Sequence, residues 1–171
     1  MSVTGADELQ RKLNKMSEYN VKKAVSDGIQ TIRSTAVLLC PVDLGELRQS
    51  IYASVEERGD TVVGTCWTNK AYAIYVEFGT GPKGMANHQG VSPDVTVAYS
   101  MSPWWIHESM IDRSAAEKYH WFKITTKAGI FYRCSGQAAQ PFMYPALANN
   151  RERLLKGIKT EFHTAIEEII K

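Results

Sequence analysis

The chain has 171 residues, of which 44% are hydrophobic and 22% are charged, and its formal net charge at pH 7 is +2. This length and composition predict a single domain, residues 1–171, built around one core. The near-neutral charge argues against a protein whose main task is to bind nucleic acid electrostatically.

The first element that the pattern predicts is an amphipathic helix over residues 18–39. Its apolar positions recur at steps of three and four, as one face of a helix requires: Val21, Val25, Gly28/Ile29, Ile32, Ala36 and Leu39. Pro41 disfavours helical backbone at Cys40, so the helix should end there. A weaker stripe at Leu9, Leu13 and Met16 indicates an earlier helix or an extension of this one.

After the turn-like segment 41–45, apolar residues recur at every second position. Leu47, Ile51, Ala53 and Val55 alternate with polar residues, which predicts a strand with one wet face. Arg58-Gly59-Asp60 supplies a turn, and residues 61–67 should form the return strand of a hairpin. The apolar segment 71–78 is too short to assign to a helix or a strand.

The central part of the chain reads as a long loop followed by a second hairpin. Glycines and prolines interrupt any regular pattern over residues 79–100, and we expect residues 79–118 to form a mobile assembly loop. Residues 118–126 then alternate, Lys127-Ala128-Gly129 forms a turn, and residues 130–134 return.

The last element is a long C-terminal helix. Its apolar stripe contains Leu147, Leu154, Ile158, Phe162, Ala165 and Ile169. Proline is tolerated within the first turn, where backbone N–H groups lack helical partners, so Pro145 predicts a start no earlier than about Phe142. The fold class is therefore α+β, with two long helices packed on one face of an antiparallel sheet and a long loop or hairpin insertion.

The motifs that would carry chemistry are incomplete. Residues 79–85 superficially resemble a phosphate loop, but Lys83 precedes the last glycine and no Ser or Thr follows it. His107-Glu108 begins like a zinc-protease helix, yet Ile111 stands where the second His belongs. The sequence therefore predicts no catalytic residue, no cofactor and no metal site, although a hydrolase triad assembled in space stays open.

The cysteines and the N-terminal segment bear on the compartment. Cys40, Cys66 and Cys134 are odd in number and lack short spacings, which suits a reducing compartment. Charged residues begin at Asp7, so we expect no signal peptide, and no apolar run reaches the roughly 18 residues of a membrane span.

Two features allow both a structural and a functional interpretation. Glu77, like Asp43 and Glu46, can cap backbone N–H groups at a turn or helix start instead of acting in catalysis. Trp104 and Trp105 are adjacent, so on a strand they point to opposite faces, and at least one should leave the core. They can be buried under the loop, anchor a partner protein, or stack on single-stranded nucleic acid.

Three runs of residues together resemble a known family. Cys40 to Ile51 is similar to its proline–hydrophobic–Asp–x–Gly–x–Leu–Arg–x–Ser–Ile run, and the runs 72–80 and 136–147 follow in the family's order. The family comprises the head–tail joining proteins (tail-completion or neck proteins) of long-tailed bacteriophages, also called minor capsid proteins. The insertion 82–135 resembles one in relatives from phages of Gram-positive bacteria.

The resemblance implies a structural virion protein without catalytic residues, located in the neck or tail region and assembled in the host cytoplasm. It implies an α+β subunit with a curved antiparallel sheet that assembles into a homo-oligomeric ring, with DNA passing through the lumen without sequence-specific recognition. No membrane contact is expected, since no apolar run is long enough to span a bilayer. Portal-side connector proteins and tail proteins are the expected partners. The expected assembly contacts are Glu77, Phe78, Gly79, Thr80, Trp104 and Trp105. The alternative is a soluble nucleic-acid-binding module that uses Trp104 and Trp105.

Overall fold

The computed structural model describes Gly5, residues 7–8, 10–11, 21–59 and 61–170. In chain order the elements are α1 (Val21–Leu39), α2 (Glu46–Gln49), β1 (Ile51–Arg58), β2 (Thr61–Thr68), α3 (Ala73–Phe78), α4 (Gly81–Ala86), β3 (Trp104–His107), a 3-10 turn (Glu108–Met110), α5 (Arg113–Lys118), β4 (Lys123–Thr126), β5 (Gly129–Cys134) and α6 (Met143–Ile170). The strands form two antiparallel sheets, one of order β1-β2 and one of order β3-β5-β4.

The chain separates into two compact units. The first falls within Met1–Leu39, Arg48–Asn69 and Ala146–Lys171, and the second within Cys40–Leu47 and Lys70–Pro145. The first unit therefore contains α1, the β1-β2 hairpin and most of α6, whereas the second contains α3, α4, α5 and the three-stranded sheet.

In the first unit α1 packs against the hairpin through its predicted apolar stripe. The buried residues of this helix are Ala24, Gly28, Ile29, Ile32 and Ala36. The approach is close at Gly64 of β2, where an added Cβ would lie 3.1 Å from Val25 Cγ1 and 3.2 Å from Ile29 Cβ. The missing side chain at Gly64 is what allows the helix to come this near the strand.

The C-terminal helix contacts α1 within the same unit. An added Cβ at Gly28 would lie 3.3 Å from a methyl carbon of Leu154. Asn150 is 8% exposed, and its amide nitrogen donates to the Thr35 hydroxyl at 3.0 Å and to the Ala146 carbonyl at 2.8 Å. A buried polar group thus has two acceptors, as burial of an amide requires.

Most of the main elements agree with the sequence. The α+β class, the N-terminal helix ending before Pro41 and the first hairpin are confirmed, and α6 begins one residue after the position inferred from the prolines. Residues 18–20 and the stripe from Leu9 to Met16 lie outside the described residues. The single domain, the curvature of the sheet and the mobility of residues 79–118 stay predictions.

Three expectations are wrong in detail. Leu47 lies in α2 and not in a strand, because its four-residue spacing to Ile51 fits one helical face as well as an alternating strand. Residues 81–86 form α4 within the expected loop, with Pro82 in the first turn where proline is tolerated. Residues 113–118 form α5, so the strand expected to begin at Lys118 starts at Lys123.

The sheet arrangement also differs from the expectation of one sheet. The second hairpin is confirmed as β4 and β5, but β3 adds a third strand, with Trp104 opposite Cys134 and His107 opposite Phe131. Residues 82–135 thus contain a sheet of their own. Strand β3 has only four residues and begins with two adjacent tryptophans, so its sequence shows no alternation of apolar and polar residues that would predict a strand.

Gly64→Val should lower the free energy of unfolding by about 1–3 kcal/mol, because its methyl groups would be forced against Val25 and Ile29. Denaturant unfolding followed by circular dichroism measures this. Gly157→Ala is the control: nothing lies within 4 Å of an added Cβ there, and the helix should gain up to ~1 kcal/mol. A stabilised Gly64→Val variant would contradict the close packing.

Candidate functional site

The second and third runs of the sequence resemblance lie side by side in the second unit. Thr80 N–H donates to the Gln137 carbonyl at 2.9 Å, and Gln137 N–H donates back to the Thr80 carbonyl at 3.1 Å. Gln140 N–H donates to the Val76 carbonyl at 2.8 Å. Segments about sixty residues apart are thus joined by backbone hydrogen bonds, and we call this contact between residues 76–80 and 137–140 the joint.

The side chain of Glu77 caps the start of α6. Its Oε2 accepts from Phe142 N–H at 2.7 Å and from Met143 N–H at 2.9 Å, while Oε1 accepts from Tyr144 N–H at 2.9 Å. Glu77 is only 5% exposed. These N–H groups have no partner inside the helix, and a negative charge is favoured at a helix N-terminus, so one carboxylate satisfies three donors.

Two glycines make this joint possible. Gly79 has φ +74°, and an added Cβ there would lie 2.7 Å from Ala139 N. Gly136 has φ +77°, and an added Cβ would overlap the Thr80 carbonyl. Both positions combine left-handed backbone with direct contact between the two segments, and a side chain would separate them.

An open apolar cavity of about 780 Å³ lies beside this joint in the second unit. Its lining includes Tyr72, Tyr75, Phe78, Val97, Tyr99 and Trp104. The Tyr99 hydroxyl donates to the Phe78 carbonyl at 2.7 Å, which ties the irregular segment 87–103 to the end of α3. The cavity has largely apolar walls and a few hydrogen-bonding groups at its edge.

The paired tryptophans take opposite sides of β3, as predicted for adjacent strand residues. The ring of Trp104 lies over Gly81, where an added Cβ would be 2.8 Å from Cζ3, and this side faces the cavity. Trp105 lies beside Phe122, with ring centroids 6.1 Å apart. The residues are 37% and 45% exposed, so both present aromatic surface to solvent.

The expected contact residues therefore occupy different environments. Phe78 and Thr80 are half-buried, Trp104 and Trp105 are exposed, and Glu77 and Gly79 are buried. Phe78, Gly79, Thr80 and Trp104 line the cavity, whereas Trp105 lies on the other side of β3. Within the chain, Glu77 caps the start of a helix, which is one of the two roles that the sequence allowed for it, the other being catalysis.

Sequence reasoning gave no role to Tyr99, Phe122 or Gln137. Phe122 is 63% exposed beside Trp105, and the Gln137 amide donates to the Tyr75 carbonyl at 2.6 Å. Gln137 lies in the third run of the resemblance, but the partners of all three side chains are distant in sequence, so no local pattern indicates these contacts.

Two exposed ion pairs join the 40–47 segment to other parts of the second unit. Lys70 Nζ lies 2.7 Å from Glu46 Oε2, and Lys118 Nζ lies 3.3 Å from Asp43 Oδ1. The hydrogen bond and charge of Lys70 lower the pKa of Glu46, and those of Asp43 raise the pKa of Lys118. Exposed pairs of this kind contribute little to stability, so their value lies in positioning the segment.

The arrangement around His107 is a turn and not a catalytic triad. His107 Nδ1 lies 2.8 Å from the Ser109 hydroxyl and accepts from Ser109 N–H at 3.2 Å, while Nε2 lies 3.0 Å from the Ala128 carbonyl. A carbonyl accepts only, so Nε2 carries the proton, and it faces a backbone group where a triad places a carboxylate.

The pKa of the Cys66 thiol is raised by burial, which makes it less reactive at neutral pH.

Among the residues that the structure describes, no group of three or more His, Cys, Asp or Glu side chains is placed to hold a metal ion. No helix in the described ranges has both the length and the apolar character needed to cross a bilayer.

The geometry defines an α+β subunit with a buried joint, an apolar cavity and exposed aromatic side chains. Residues 7–79 match the model of the HK97-gp10-like family, described as "Bacteriophage HK97-gp10, putative tail-component". The match covers less than half of the chain but includes the first two runs almost completely, and it supports the resemblance to structural proteins of phage tails. No curated protein and no solved structure matches the chain significantly.

Glu77→Ala should lower the free energy of unfolding by about 3 kcal/mol, because three N–H groups of α6 would lose a charged acceptor. Urea unfolding of purified protein measures the change. Glu161→Ala removes an exposed carboxylate on the same helix and should change stability by less than about 0.5 kcal/mol. Equal effects of the two substitutions would show that Glu77 is not a cap.

Lys70→Met should raise the pKa of Glu46 towards its ordinary value. Because the pair lowers the pKa of the folded carboxyl, its stabilisation is present above the ordinary carboxyl pKa and is lost as pH falls through the folded value. A carbon-detected NMR titration of the Glu46 carboxyl tests this. The Asp112 carboxyl, whose pKa is lowered by Ser114, is the internal control and should not move.

Proposed function

We propose that this protein joins or completes the head–tail connection of a tailed bacteriophage virion, acting by ring assembly and not by catalysis. The observation that carries the proposal is the match of residues 7–79 to a phage tail-component family. That match indicates a structural virion protein; the neck position, the ring and the portal-side partners are the finer steps proposed here.

The surface chemistry of the second unit supports a role in assembly. Apolar side chains that a monomer would normally bury are accessible around the cavity, on β3 and beside it, among them Tyr75 (56%), Trp105 (45%) and Phe122 (63%). Aromatic residues are enriched at the energetic centres of protein interfaces. We assign these residues, with Phe78, Thr80 and Trp104, to contacts with neighbouring tail or connector proteins.

The joint between the two runs supplies the rigidity that such contacts need. The Thr80–Gln137 hydrogen bonds and the Glu77 cap tie the segment that lines the cavity to the residues at the start of α6. A preorganised surface loses less conformational entropy when a partner binds. Within the proposed function, Glu77 and Gly79 therefore act indirectly, by positioning Phe78 and Thr80.

The nucleic-acid alternative gains less support from the surface. Trp104 lies over Gly81 at the cavity and Trp105 lies beside Phe122, while the whole chain carries a net charge of only +2. Stacking platforms for single strands combine aromatic residues with a positively charged groove. That alternative requires DNA affinity that falls steeply with salt.

Without this protein, heads and tails should accumulate as separate structures, and a label fused to the protein should appear at the neck in electron micrographs.

Trp105→Ser should weaken the joining of heads to tails by about thirtyfold if Trp105 is an interface anchor, since such residues contribute about 2 kcal/mol or more. Met110→Ser is the control, because Met110 is 79% exposed and lies outside the aromatic surface. Normal particles without the protein would refute the proposal.

A further inference from the structure

The β1-β2 hairpin has a hydrogen-bonding pattern that can be assigned residue by residue. The strands pair over eight positions without a bulge, from Ile51 opposite Thr68 to Arg58 opposite Thr61. Only two residues separate Arg58 from Thr61, so these two form the hydrogen-bonded pair that closes the loop. Alternation then directs the backbone N–H and C=O groups of Val62, Gly64 and Cys66 away from β1.

The outer edge of β1 follows by the same alternation. The backbone groups of Ile51, Ala53, Val55 and Glu57 point away from β2. Consistent with this, Arg33 Nε donates to the Ile51 carbonyl at 2.8 Å from outside the hairpin. Among the described residues, no backbone hydrogen bond from another segment reaches Ala53, Val55 or Glu57, nor Val62, Gly64 or Cys66.

Strand β2 lacks the features that normally prevent edge pairing. Natural proteins protect an open edge with charged residues, proline, bulges or a very short strand. The eight residues Thr61–Thr68 contain no charge and no proline, and their ladder with β1 is uninterrupted. An uncharged, β-branched edge of this length favours addition of another strand.

We propose that the outer edge of β2 pairs with the outer edge of β1 from a second copy of this chain, so that the hairpins form a continuous antiparallel sheet around the ring. The inference rests on the ring assembly of the proposed function. Rotation about a ring axis places β2 beside a neighbouring β1 that runs in the opposite direction, and both strands are eight residues long. Closure removes every free edge, as in a barrel.

The charge distribution favours this pairing of unlike strands. The charged residues of β1 are Glu56, Glu57 and Arg58, close to the turn, and β2 has none, so no like charges oppose each other. Glu56 and Glu57 also have cationic neighbours in their own subunit, because Arg58 lies 2.9 Å from Glu56 and Lys22 lies 3.1 Å from Glu57. The β1 edge can therefore accept a neutral strand without unpaired carboxylates.

Hydrogen exchange tests the pairing, with phage particles and the free subunit labelled in parallel and read at single residues by mass spectrometry. The amides of Val62, Gly64 and Cys66 should exchange at least about tenfold more slowly in the particle. Those of Thr61, Val63 and Thr65 already bond to β1 and are the internal control. This period of two distinguishes edge pairing from general burial.

The outcomes separate this inference from the proposed function. Fast exchange at all three outward amides in neck-located protein would overturn the pairing and leave the function standing. Protection already present in the free subunit would also overturn it, since another part of the same chain would cover the edge. Absence of the protein from particles would refute the proposed function itself, and the pairing with it.

A matched pair of variants gives a second test. Val62→Pro removes an outward N–H and no bond of the hairpin, whereas Val62→Ala removes the side chain and keeps the N–H. We expect Val62→Pro to reduce incorporation into particles at least about tenfold relative to Val62→Ala. Equal incorporation would overturn the proposal. If Val62→Pro fails to fold, the exchange pattern of the unmodified protein decides.

Discussion

The buried carboxylate of Glu77 is the constraint on which the second unit depends. It lies one residue from the end of α3 and accepts three hydrogen bonds from the first N–H groups of α6, so it fixes the start of one helix against the end of another. A carboxylate so deeply buried requires compensation for lost hydration, and the N–H groups and the helix dipole provide it. Gly79 and Gly136 then determine how the chain continues from this point, because both positions exclude a side chain. The cavity and the exposed aromatic residues are built outward from that joint.

The sequence predicted elements whose signals are local and missed those whose partners are distant. The stripe of α1, the turn at Gly59 and the limit that Pro145 sets on α6 all act within a few residues, and each was predicted correctly. Helices α4 and α5 are six residues each, shorter than the window in which a helical period can be recognised. The cap on α6 could be anticipated as a role for Glu77, but not its recipients, because they lie 65 to 67 residues further along the chain.

The segment that matches the family model and the segment that carries the exposed aromatic residues are different parts of the chain. Residues 7–79 include α1 and the β1-β2 hairpin, which are scaffold elements with regular patterns, together with α3. Trp104, Trp105 and Phe122 lie in the insertion, beyond the matched segment. A scaffold tolerates change mainly through insertions between its elements, and binding specificity concentrates in such segments. Residues 82–135 are therefore where this protein should differ from the proteins of the matched family in what it binds.

The two proposed interfaces use different physical interactions, and this difference suits their partners. A strand edge offers regularly spaced donors and acceptors that any strand can satisfy, so a second copy of the same edge pair is a sufficient partner. Aromatic side chains around a cavity instead require complementary shape, which a different protein must supply. Pairing through Val62, Gly64 and Cys66 would give the ring its continuity, while Trp105 and its neighbours would select what the ring joins. A hairpin whose two edges pair with those of other copies and a surface that recognises another protein can thus evolve independently on one short chain.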